Sequence, residues 1–333
     1  MKSIKAGIIG LGVGEQHIVA YQNQGVEILK ICDFNPEKLA EVSSRYPELS
    51  TCLSALDIIT DPEINLVSIA SWDNDHCEQI LTALTNEKHV FVEKPICLYE
   101  WEAKKIRETL KAKPHLRLSS NLILRYSPRF LDLRHRIQAG ELGQLYYMEG
   151  DYNYGRIDKL ISGWRGQLPF YSIVLGGGVH LIDLMRWLSQ DEVVSVTAIG
   201  NQIVSASTHL AYPDLVVALL QFKSGLIGKL AVNFGCVYPH FHPLQVYGTH
   251  ASFFNRLGAA ELFTSREPRV SPYSIATAYP GIHKGALLEG FVQSLKTGTD
   301  WDVSENEVFA TLAVCFAIEQ ALNRGGTVTV DYI

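Results

Sequence analysis

The stretch KAGIIGLGVGEQHIVAYQ, residues 5–22, decides the fold of this chain. A short run of apolar and small residues, 6–10, leads directly into glycines at positions 10, 12 and 14, and an amphipathic segment follows. A strand that ends at glycines and continues as a helix directs backbone N–H groups of the helix N-terminus toward an anionic phosphate. The stretch therefore predicts a nucleotide-binding βα unit in which Gly10, Gly12 and Gly14 contact the cofactor.

The spacing of these glycines departs from G-x-G-x-x-G, because Glu15 stands where the third glycine is expected. A glycine-rich turn without a ligand is the alternative interpretation. The next apolar run, 26–32, favours the nucleotide site, since it ends at Asp33, whose carboxylate can accept hydrogen bonds from a ribose 2′-OH. This carboxylate repels a 2′-phosphate, so the sequence predicts NAD rather than NADP, with Lys38 as the nearby cation that would favour NADP.

Composition restricts the class of protein. The chain has 333 residues, of which 47% are hydrophobic and 19% charged, enough for two ordered domains. The net charge of −6 argues against nucleic acid or an anionic membrane as a partner, because both need a dense basic surface. No apolar run reaches the roughly 18 residues of a membrane span or resembles a secretion signal, so we expect neither.

Cysteine usage points to a reducing compartment. The six cysteines form no C-x-x-C pair and lie mostly within apolar runs. This arrangement is typical of reduced thiols in a protein core. We therefore expect a cytoplasmic protein.

Strands alternate with helices over roughly the first 120 residues, which is the pattern of a doubly wound parallel sheet. Asn35 before Pro36 predicts one helix N-terminus, and Asp73 or Asn74 is expected to cap the helix at 77–86. The run 89–92 is predicted as the fourth strand. Ligands of such sheets bind at the carboxyl ends of the strands, and the residues expected there are Gly10, Asp33, Ser71 and Glu93.

Strands dominate the second half of the chain, and a turn at residues 223–225 predicts a hairpin. The predicted strands are at 144–154, 193–204, 215–222, 226–234 and 243–246, and the predicted helices are at 127–139, 179–188, 284–296 and 304–322. Such a meander forms a largely antiparallel sheet with one open face. The predicted fold class is α/β, with a doubly wound parallel-sheet domain at 1–122 and an α+β domain with a large open sheet at 123–333.

Two residues are candidates for proton transfer. Lys94 follows Glu93 at a predicted strand end, where it could share a substrate hydroxyl proton or simply be solvated. His180 follows three glycines, 176–178, which would let the backbone approach a ligand, and it lies in the first turn of a helix with Asp183 one turn on. A capped core histidine is the alternative. If both residues face one pocket, His180 is the better base and Lys94 its partner.

A set of motifs in this order resembles the Gfo/Idh/MocA oxidoreductase family over essentially the whole chain: GLGVGEQH, CDFNPEK, SWDNDH, VFVEKP, GWR at 163–165 and GGGVHLIDL. The resemblance implies a Rossmann domain followed by a C-terminal α/β domain whose open sheet serves contacts in a homo-oligomer, a dimer or tetramer. It also implies NAD(P)-dependent oxidation or reduction of a sugar, sugar nucleotide or cyclitol.

The resemblance also assigns residues. Lys94 and His180 match the family's active-site lysine and histidine. The residues that match its cofactor contacts are Gly10, Gly12, Asp33, Ser71, Trp72, His76, Glu93, Asn121, Trp164 and Arg165. A dehydrogenase then requires the Lys94 ammonium and the His180 imidazole to converge beside one nicotinamide ring.

One departure from the family matters for function. Many relatives carry an aspartate four residues before the histidine, where this chain has Gly176. Either another acid substitutes for it or the reaction differs. NAD-dependent cleavage of a glycosidic bond through transient oxidation, and a non-catalytic NAD-binding regulator, are therefore alternatives to the dehydrogenase.

Substrate residues are expected in the second domain. Tyr152, Tyr154, Arg156 and Asp183 are the candidates for a carbohydrate, although sheet packing explains the tyrosines equally well. The stretch Pro239-His240-Phe241-His242 places two histidines on one strand face if it is extended. No third metal ligand is evident nearby, so we expect no metal, and a rim or interface role for these histidines.

Overall fold

The computed structural model of the chain describes residues 3–279 and 285–333. Its strands are β1 (Lys5–Ile9), β2 (Glu27–Cys32), β3 (Ser50–Cys52), β4 (Leu66–Ile69), β5 (His89–Val92), β6 (Leu118–Ser120), β7 (Leu145–Asn153), β8 (Val193–Asn201), β9 (Leu215–Phe222), β10 (Ile227–Asn233), β11 (Leu244–Gly248), β12 (Ser252–Asn255), β13 (Ala260–Phe263), β14 (Tyr273–Ile275) and β15 (Thr327–Thr329).

The helices are α1 (Glu15–Asn23), α2 (Pro36–Arg45), α3 (Leu56–Ile59), α4 (His76–Thr85), α5 (Glu100–Lys111), α6 (Pro128–Gln138), α7 (Asp158–Ile161), α8 (Val179–Ser189), α9 (Ala286–Thr297) and α10 (Glu305–Arg324). The predicted start of α9 at Lys284 lies outside the described residues. Within the described ranges, no helix combines the length and apolar character needed to cross a membrane.

The chain forms two compact units. Unit 1 contains residues 3–122, 285–309 and 333, and unit 2 contains residues 123–279 and 310–332. Unit 1 holds a parallel sheet of strand order β3-β2-β1-β4-β5-β6, which confirms the predicted doubly wound fold. Its buried strands, such as Leu66–Ile69, are covered on both faces, as the apolar runs predicted.

Two local predictions for unit 1 were wrong. The strand at His89–Val92 is the fifth rather than the fourth, because the edge strand Ser50–Cys52 is three residues long and has no apolar run to reveal it. Helix α4 is preceded by Asp75 as its N-cap residue, without a side-chain cap hydrogen bond, instead of by Asp73 or Asn74. The helix begins one residue earlier than expected because the His76 ring is held by backbone oxygens on two loops.

The predicted cap of α2 is confirmed. The Asn35 side chain accepts hydrogen bonds from the backbone N–H groups of Glu37 at 2.9 Å and Lys38 at 3.2 Å, and Pro36 occupies the first helical position. This fixes the start of α2 directly after Asp33.

Unit 2 is built on a nine-stranded sheet of order β14-β13-β12-β11-β7-β10-β9-β8-β15. Neighbouring strands are antiparallel except for β7 and β10, so the mostly antiparallel sheet is confirmed. The predicted hairpin joins β9 to β10, with Gly225 at φ +93° and its N–H donating to the Phe222 carbonyl at 3.0 Å. The sequence pattern missed the four short strands β12–β15.

One face of this sheet packs against α8, and the other is open. A side chain at Gly150 of β7 would collide with Met185 and press on Leu181 of α8, so the glycine permits close packing of helix on sheet. On the opposite face, Leu219 and Ile199 are 53% and 74% exposed. The predicted open face is therefore present.

Candidate active site

The three glycines of the first loop have different roles. Gly10 has φ +83°, and its N–H donates to the Cys32 carbonyl at 2.8 Å. A Cβ atom at Gly10 would strike the Ala70 carbonyl, and one at Gly14 would strike the Gly10 carbonyl, whereas Gly12 has open space around it. Gly10 and Gly14 therefore allow the loop to pack, and Gly12 leaves room for a ligand to approach the backbone.

Asp33 connects the glycine loop to the start of α2. One carboxylate oxygen accepts from the Leu11 N–H at 2.8 Å, and the other accepts from the Asn35 N–H at 2.9 Å. The residue is 7% exposed. These bonds fix a carboxylate at the carboxyl end of β2, where a ribose hydroxyl of a dinucleotide would lie.

The cation that would favour NADP is held by carboxylates. Lys38 Nζ lies 3.1 Å from Glu41 Oε2 and 3.8 Å from Glu15 Oε2. A lysine so engaged is a poor phosphate partner. The local charges thus agree with the preference for NAD that the sequence predicts.

An aromatic pair lies at the same edge of unit 1. The rings of Phe34 and Trp72 meet edge to face with centroids 5.3 Å apart, and Phe34 is 61% exposed. They follow β2 and β4, which flank β1 in the sheet. Such a surface suits the face of a nucleobase. Sequence reasoning missed Phe34, although a large apolar residue directly after Asp33 was an available signal.

Glu93 belongs to a hydrogen-bonded network beside Lys94. Its Oε1 lies 3.3 Å from His17 Nε2 and accepts from Asn121 Nδ2 at 2.6 Å, while His17 Nδ1 lies 3.2 Å from Ser68 Oγ. Burial alone raises the pKa of Glu93, but the hydrogen bonds and charges of His17, Asn121 and Lys94 outweigh it and lower the pKa. The carboxylate therefore stays ionised and anchors the end of β5.

His76 and Ser71 hold loops in place at this edge. The fully buried His76 ring has Nδ1 2.7 Å from the Pro95 carbonyl and Nε2 3.2 Å from the Ser71 carbonyl. Ser71 Oγ donates to Gln79 Oε1 at 2.7 Å. This geometry favours a positioning role for His76, because it connects the loops after β4 and β5.

In unit 2, His180 follows a π-helical turn at Val174–Gly178 and lies in the first turn of α8. Ser172 Oγ accepts from the N–H groups of Val174 at 3.1 Å and Leu175 at 3.0 Å, which starts the turn. Turns of this kind are rare in proteins overall, and those that occur are often found at functional sites. His180 itself is 5% exposed.

The glycines before His180 do not leave room for a ligand, which corrects the sequence interpretation. A Cβ atom at Gly176 would meet the phenol oxygen of Tyr171, and one at Gly177 would meet the Tyr152 ring at 2.6 Å. The turn therefore packs directly against side chains of its own unit. Glycine is required there because any side chain would occupy space already filled.

The His180 imidazole lies beside a group that we name the ring cluster: Tyr152, Tyr154, Phe234, His240 and His242. Tyr152 stacks on His180 with centroids 6.2 Å apart and ring planes inclined by 19°. Tyr152 also stacks on Tyr154 at 5.9 Å. Of the predicted substrate residues, Tyr152 thus lies next to His180, and Tyr154 lies next to Tyr152. Burial raises the pKa of the Tyr152 phenol, so this group stays protonated.

The histidine pair of the stretch PHFH divides into one exposed and one buried residue. His240 is exposed, whereas His242 is 4% exposed and its Nδ1 bonds the Tyr279 hydroxyl. The expected rim role therefore does not fit His242. Burial, with a smaller contribution from His240, lowers the pKa of His242 to about 3. Over residues 3–279 and 285–333, no three His, Cys, Asp or Glu side chains are grouped to hold a metal ion.

Asp183, predicted as a substrate residue, is instead part of a buried ion pair. Its oxygens accept from Arg125 Nε at 2.8 Å and Arg125 Nη2 at 2.6 Å, and both side chains are almost completely buried. Thr311 Oγ1 lies 3.3 Å from the same carboxylate. Because both oxygens are engaged, the structure gives Asp183 a role in holding α8.

The remaining predicted residues are cations and rings of unit 2. The Arg156 guanidinium lies over the Tyr154 ring at 5.5 Å. Arg165 lies over the Trp164 ring at 4.3 Å and over the Tyr171 ring at 5.8 Å. Stacking on aromatic faces orients both guanidinium groups.

Two family sequence models match the chain, one for each half. The model described as an oxidoreductase family with an NAD-binding Rossmann fold matches residues 4–121, and the GFO/IDH/MocA C-terminal domain matches residues 130–254. A myo-inositol 2-dehydrogenase of Thermotoga maritima is 25% identical over 345 residues, covering 99% of each chain. The scyllo-inositol 2-dehydrogenase (NAD(+)) of Bacillus subtilis is 26% identical over 286 residues, covering 83% of this chain and 80% of that protein.

Solved structures show the same fold. A levoglucosan dehydrogenase in complex with NADH has a TM-score of 0.87 and 21% identity, covering 100% of both chains. The first family model describes an NAD-binding Rossmann fold, and the six-stranded parallel sheet of unit 1 has that fold. With the second model matching most of unit 2, the chain belongs to the Gfo/Idh/MocA family of NAD-binding oxidoreductases.

Proposed function

We propose that this protein is an NAD-dependent dehydrogenase that oxidises a ring hydroxyl of a cyclitol or sugar, or reduces the corresponding ketone. The observation that carries the proposal is the His180 imidazole, 5% exposed, in the first turn of α8 beside the ring cluster. Relatives named as inositol dehydrogenases, and a structural neighbour bound to NADH and levoglucosan, support this substrate class.

The proposed cofactor set lies mainly at the carboxyl edge of the parallel sheet. Gly12 admits the pyrophosphate, Asp33 binds the ribose and Trp72 contacts the base. Gly10, Gly14 and His76 hold the loops in place. The other proposed contacts are Ser71, Glu93, Asn121, Trp164 and Arg165. NAD accepts the hydride at nicotinamide C4 when bound.

We assign proton transfer to His180 and Lys94. Oxidation removes a hydride from the carbinol carbon and a proton from its hydroxyl, so a base is needed as the C=O bond forms. An imidazole suits this near neutral pH. Lys94 stabilises the developing alkoxide and shares the proton.

The ring cluster is the proposed substrate surface. Stacked rings of Tyr152 and Tyr154 offer an apolar face to the C–H bonds of a pyranose or cyclohexane ring. Arg156, held over Tyr154, offers donors to the ring hydroxyls. A neutral polyol matches these features.

The test combines a substrate panel with two variants. NADH formation is measured with myo-inositol, scyllo-inositol and levoglucosan, and NAD binding is followed separately by calorimetry. Lys94→Ala and His180→Ala should each lower turnover by about 10²- to 10⁴-fold, with little effect of His180→Ala on NAD affinity. His135→Ala, at an exposed histidine of α6, is the matched control.

Three outcomes would contradict the proposal. Near-normal turnover in either variant removes that residue from the mechanism. Release of a leaving group without net NADH indicates glycosidic cleavage. Bound NAD with no turnover of any polyol indicates a regulator.

We further infer a homo-oligomer, a dimer or tetramer, formed through the open sheet face. Ile199, Leu219 and Ile227 lie on that face and are 74%, 53% and 40% exposed. An apolar patch of this kind is typical of an interface. Sedimentation of the wild type and Leu219→Glu tests it, and a monomeric wild type would contradict it.

We also propose a division into two domains and a cellular location. We propose 1–122 as the cofactor domain and 123–333 as the substrate domain, with residues 285–309 and 333 packing in unit 1 although they lie within the sequence range of the substrate domain. We infer a cytoplasmic location because all six cysteines are free thiols. Cell fractionation is the measurement, and recovery outside the cytoplasm would contradict the inference.

A further inference from the structure

His242 carries a buried polar atom that the protein does not satisfy. Its Nδ1 bonds the Tyr279 hydroxyl, but its Nε2 is buried with no hydrogen-bond partner among the described residues. An unsatisfied polar group of this kind destabilises the fold by about 1–3 kcal/mol. Natural proteins contain few buried polar atoms without a partner, so a ligand that pairs with this atom is a reasonable explanation for it.

Hydrogen bonds hold the backbone around His242, so the position of its ring is well defined. Phe241 exchanges backbone hydrogen bonds with Asn153 of β7 at 3.0 and 3.1 Å. Asn255 Nδ2 donates to the His242 carbonyl at 2.7 Å, and Arg129 Nη1 donates to Asn255 Oδ1 at 2.9 Å. These contacts hold residue 242 at the start of β11, beside β7.

The rings around His242 are those of the proposed substrate surface. Its centroid lies 5.0 Å from Tyr152, 6.3 Å from His180 and 5.1 Å from His240. His240 is exposed, whereas Tyr152 and His180 are buried. His240 is the exposed member of this group and packs on His242, so a substrate that reaches His242 must displace the His240 side chain.

The charge state of the His242 imidazole determines which chemical groups it can bind. Burial and the neighbouring His240 lower the pKa of His242 to about 3, so its imidazole is neutral at physiological pH. A neutral imidazole exchanges hydrogen bonds with a hydroxyl but gives no charge attraction to a carboxylate or phosphate. A neutral hydroxyl, which both donates and accepts, fits Nε2 in either tautomer of the ring.

We propose that His242 Nε2 hydrogen-bonds a ring hydroxyl of the substrate, which makes His242 a specificity residue for neutral polyols. This inference rests on the function proposed above. It adds a substrate contact at a ring nitrogen that has no hydrogen-bond partner in the described part of the chain, and the Tyr279 hydroxyl orients the imidazole through Nδ1.

The experiment separates the two ring nitrogens. In His242→Gln the side-chain amide reaches the place of Nε2, and in His242→Asn it reaches only the place of Nδ1. A substrate contact predicts that Gln keeps kcat/KM within about threefold of wild type, while Asn lowers it about tenfold. His242→Phe, which keeps an aromatic ring but removes both nitrogens, should resemble Asn, and His135→Phe is the control. Rescue by Asn but not by Gln would overturn the proposal, because it would show that the Tyr279 contact alone matters.

Monodeoxy analogues of the preferred polyol give an independent readout. For the wild type, kcat/KM should be about tenfold lower with the analogue that lacks the contacted hydroxyl than with the intact polyol. For His242→Phe, kcat/KM should be the same with both compounds. Equal losses in both proteins would overturn the proposal while leaving the dehydrogenase function intact. Absence of NADH formation by the wild type with every neutral polyol would overturn both, and thermal unfolding with NAD titration verifies that each variant is folded.

Discussion

The phenol oxygen of Tyr171 occupies the space that a Cβ atom at Gly176 would need. Tyr171 is 2% exposed, so its ring cannot move aside without disturbing the core. The space beside the backbone four residues before His180 is therefore filled by a tyrosine from the preceding segment. Gly176 and Tyr171 depend on each other.

This dependence predicts second-site suppression. Gly176→Asp should destabilise the protein by about 1–3 kcal/mol, since it overpacks a filled site. Tyr171→Ala creates the room, so the double variant should be more stable than the sum of the two single effects. Urea unfolding of all three proteins measures the coupling. Strictly additive effects would show that the two sites are independent.

The glycine loop predicts a separation of stability from cofactor binding. Gly12→Ala adds a methyl group in open space, so it should leave the unfolding temperature unchanged and raise the Kd for NAD about tenfold. Gly14→Ala meets the Gly10 carbonyl and should destabilise the apo protein by about 1–3 kcal/mol. Calorimetry and thermal melts check both, and unaltered NAD binding by Gly12→Ala would argue against this loop as the phosphate site.

The buried Arg125–Asp183 pair predicts a large structural effect. Asp183→Asn or Arg125→Met should lower the free energy of unfolding by about 3–5 kcal/mol, because one member is left buried without its charge partner. The surface Arg136, 2.9 Å from Asp132, provides the control, and Arg136→Met should change stability by less than about 1 kcal/mol. Denaturant unfolding compares them. A small effect at Arg125 would contradict the burial of the pair.

His242 predicts a pH dependence of stability. Its pKa is about 3 in the folded protein and 6.5 in its ordinary state, so below pH 6.5 the unfolded chain binds a proton that the folded chain does not. The free energy of unfolding is therefore unaffected by His242 above pH 6.5 and decreases progressively as the pH falls toward 3. The loss amounts to about 2–3 kcal/mol by roughly pH 4.5. His242→Phe should flatten this part of the stability profile, with His135→Phe as control. Parallel profiles for wild type and His242→Phe would contradict the assignment.

Much of unit 1 was predictable because its signals are local. The run into Gly10, the cap at Asn35 and the carboxylate at Asp33 follow one another within about 30 residues, and a parallel sheet brings such strand ends to one edge. Phe34 was missed because its role depends on its contact with Trp72, which follows β4 and is distant in sequence. The edge strand Ser50–Cys52 escaped because three polar or small residues carry no periodicity.

The sequence by itself determined the nucleotide fold, the preference for NAD and the two candidate proton-transfer residues, since these depend on residue type and short spacing. Only the tertiary structure decided which residues fill the space around His180. Pairing of β7 with β10 and β11 brings Tyr152 next to Phe234 and His242, which follow it much later in the sequence. That packing excludes a side chain at Gly176 and commits Asp183 to Arg125. It also leaves His242 Nε2 without a hydrogen-bond partner within residues 3–279 and 285–333. No local pattern encodes contacts between residues so far apart in the chain.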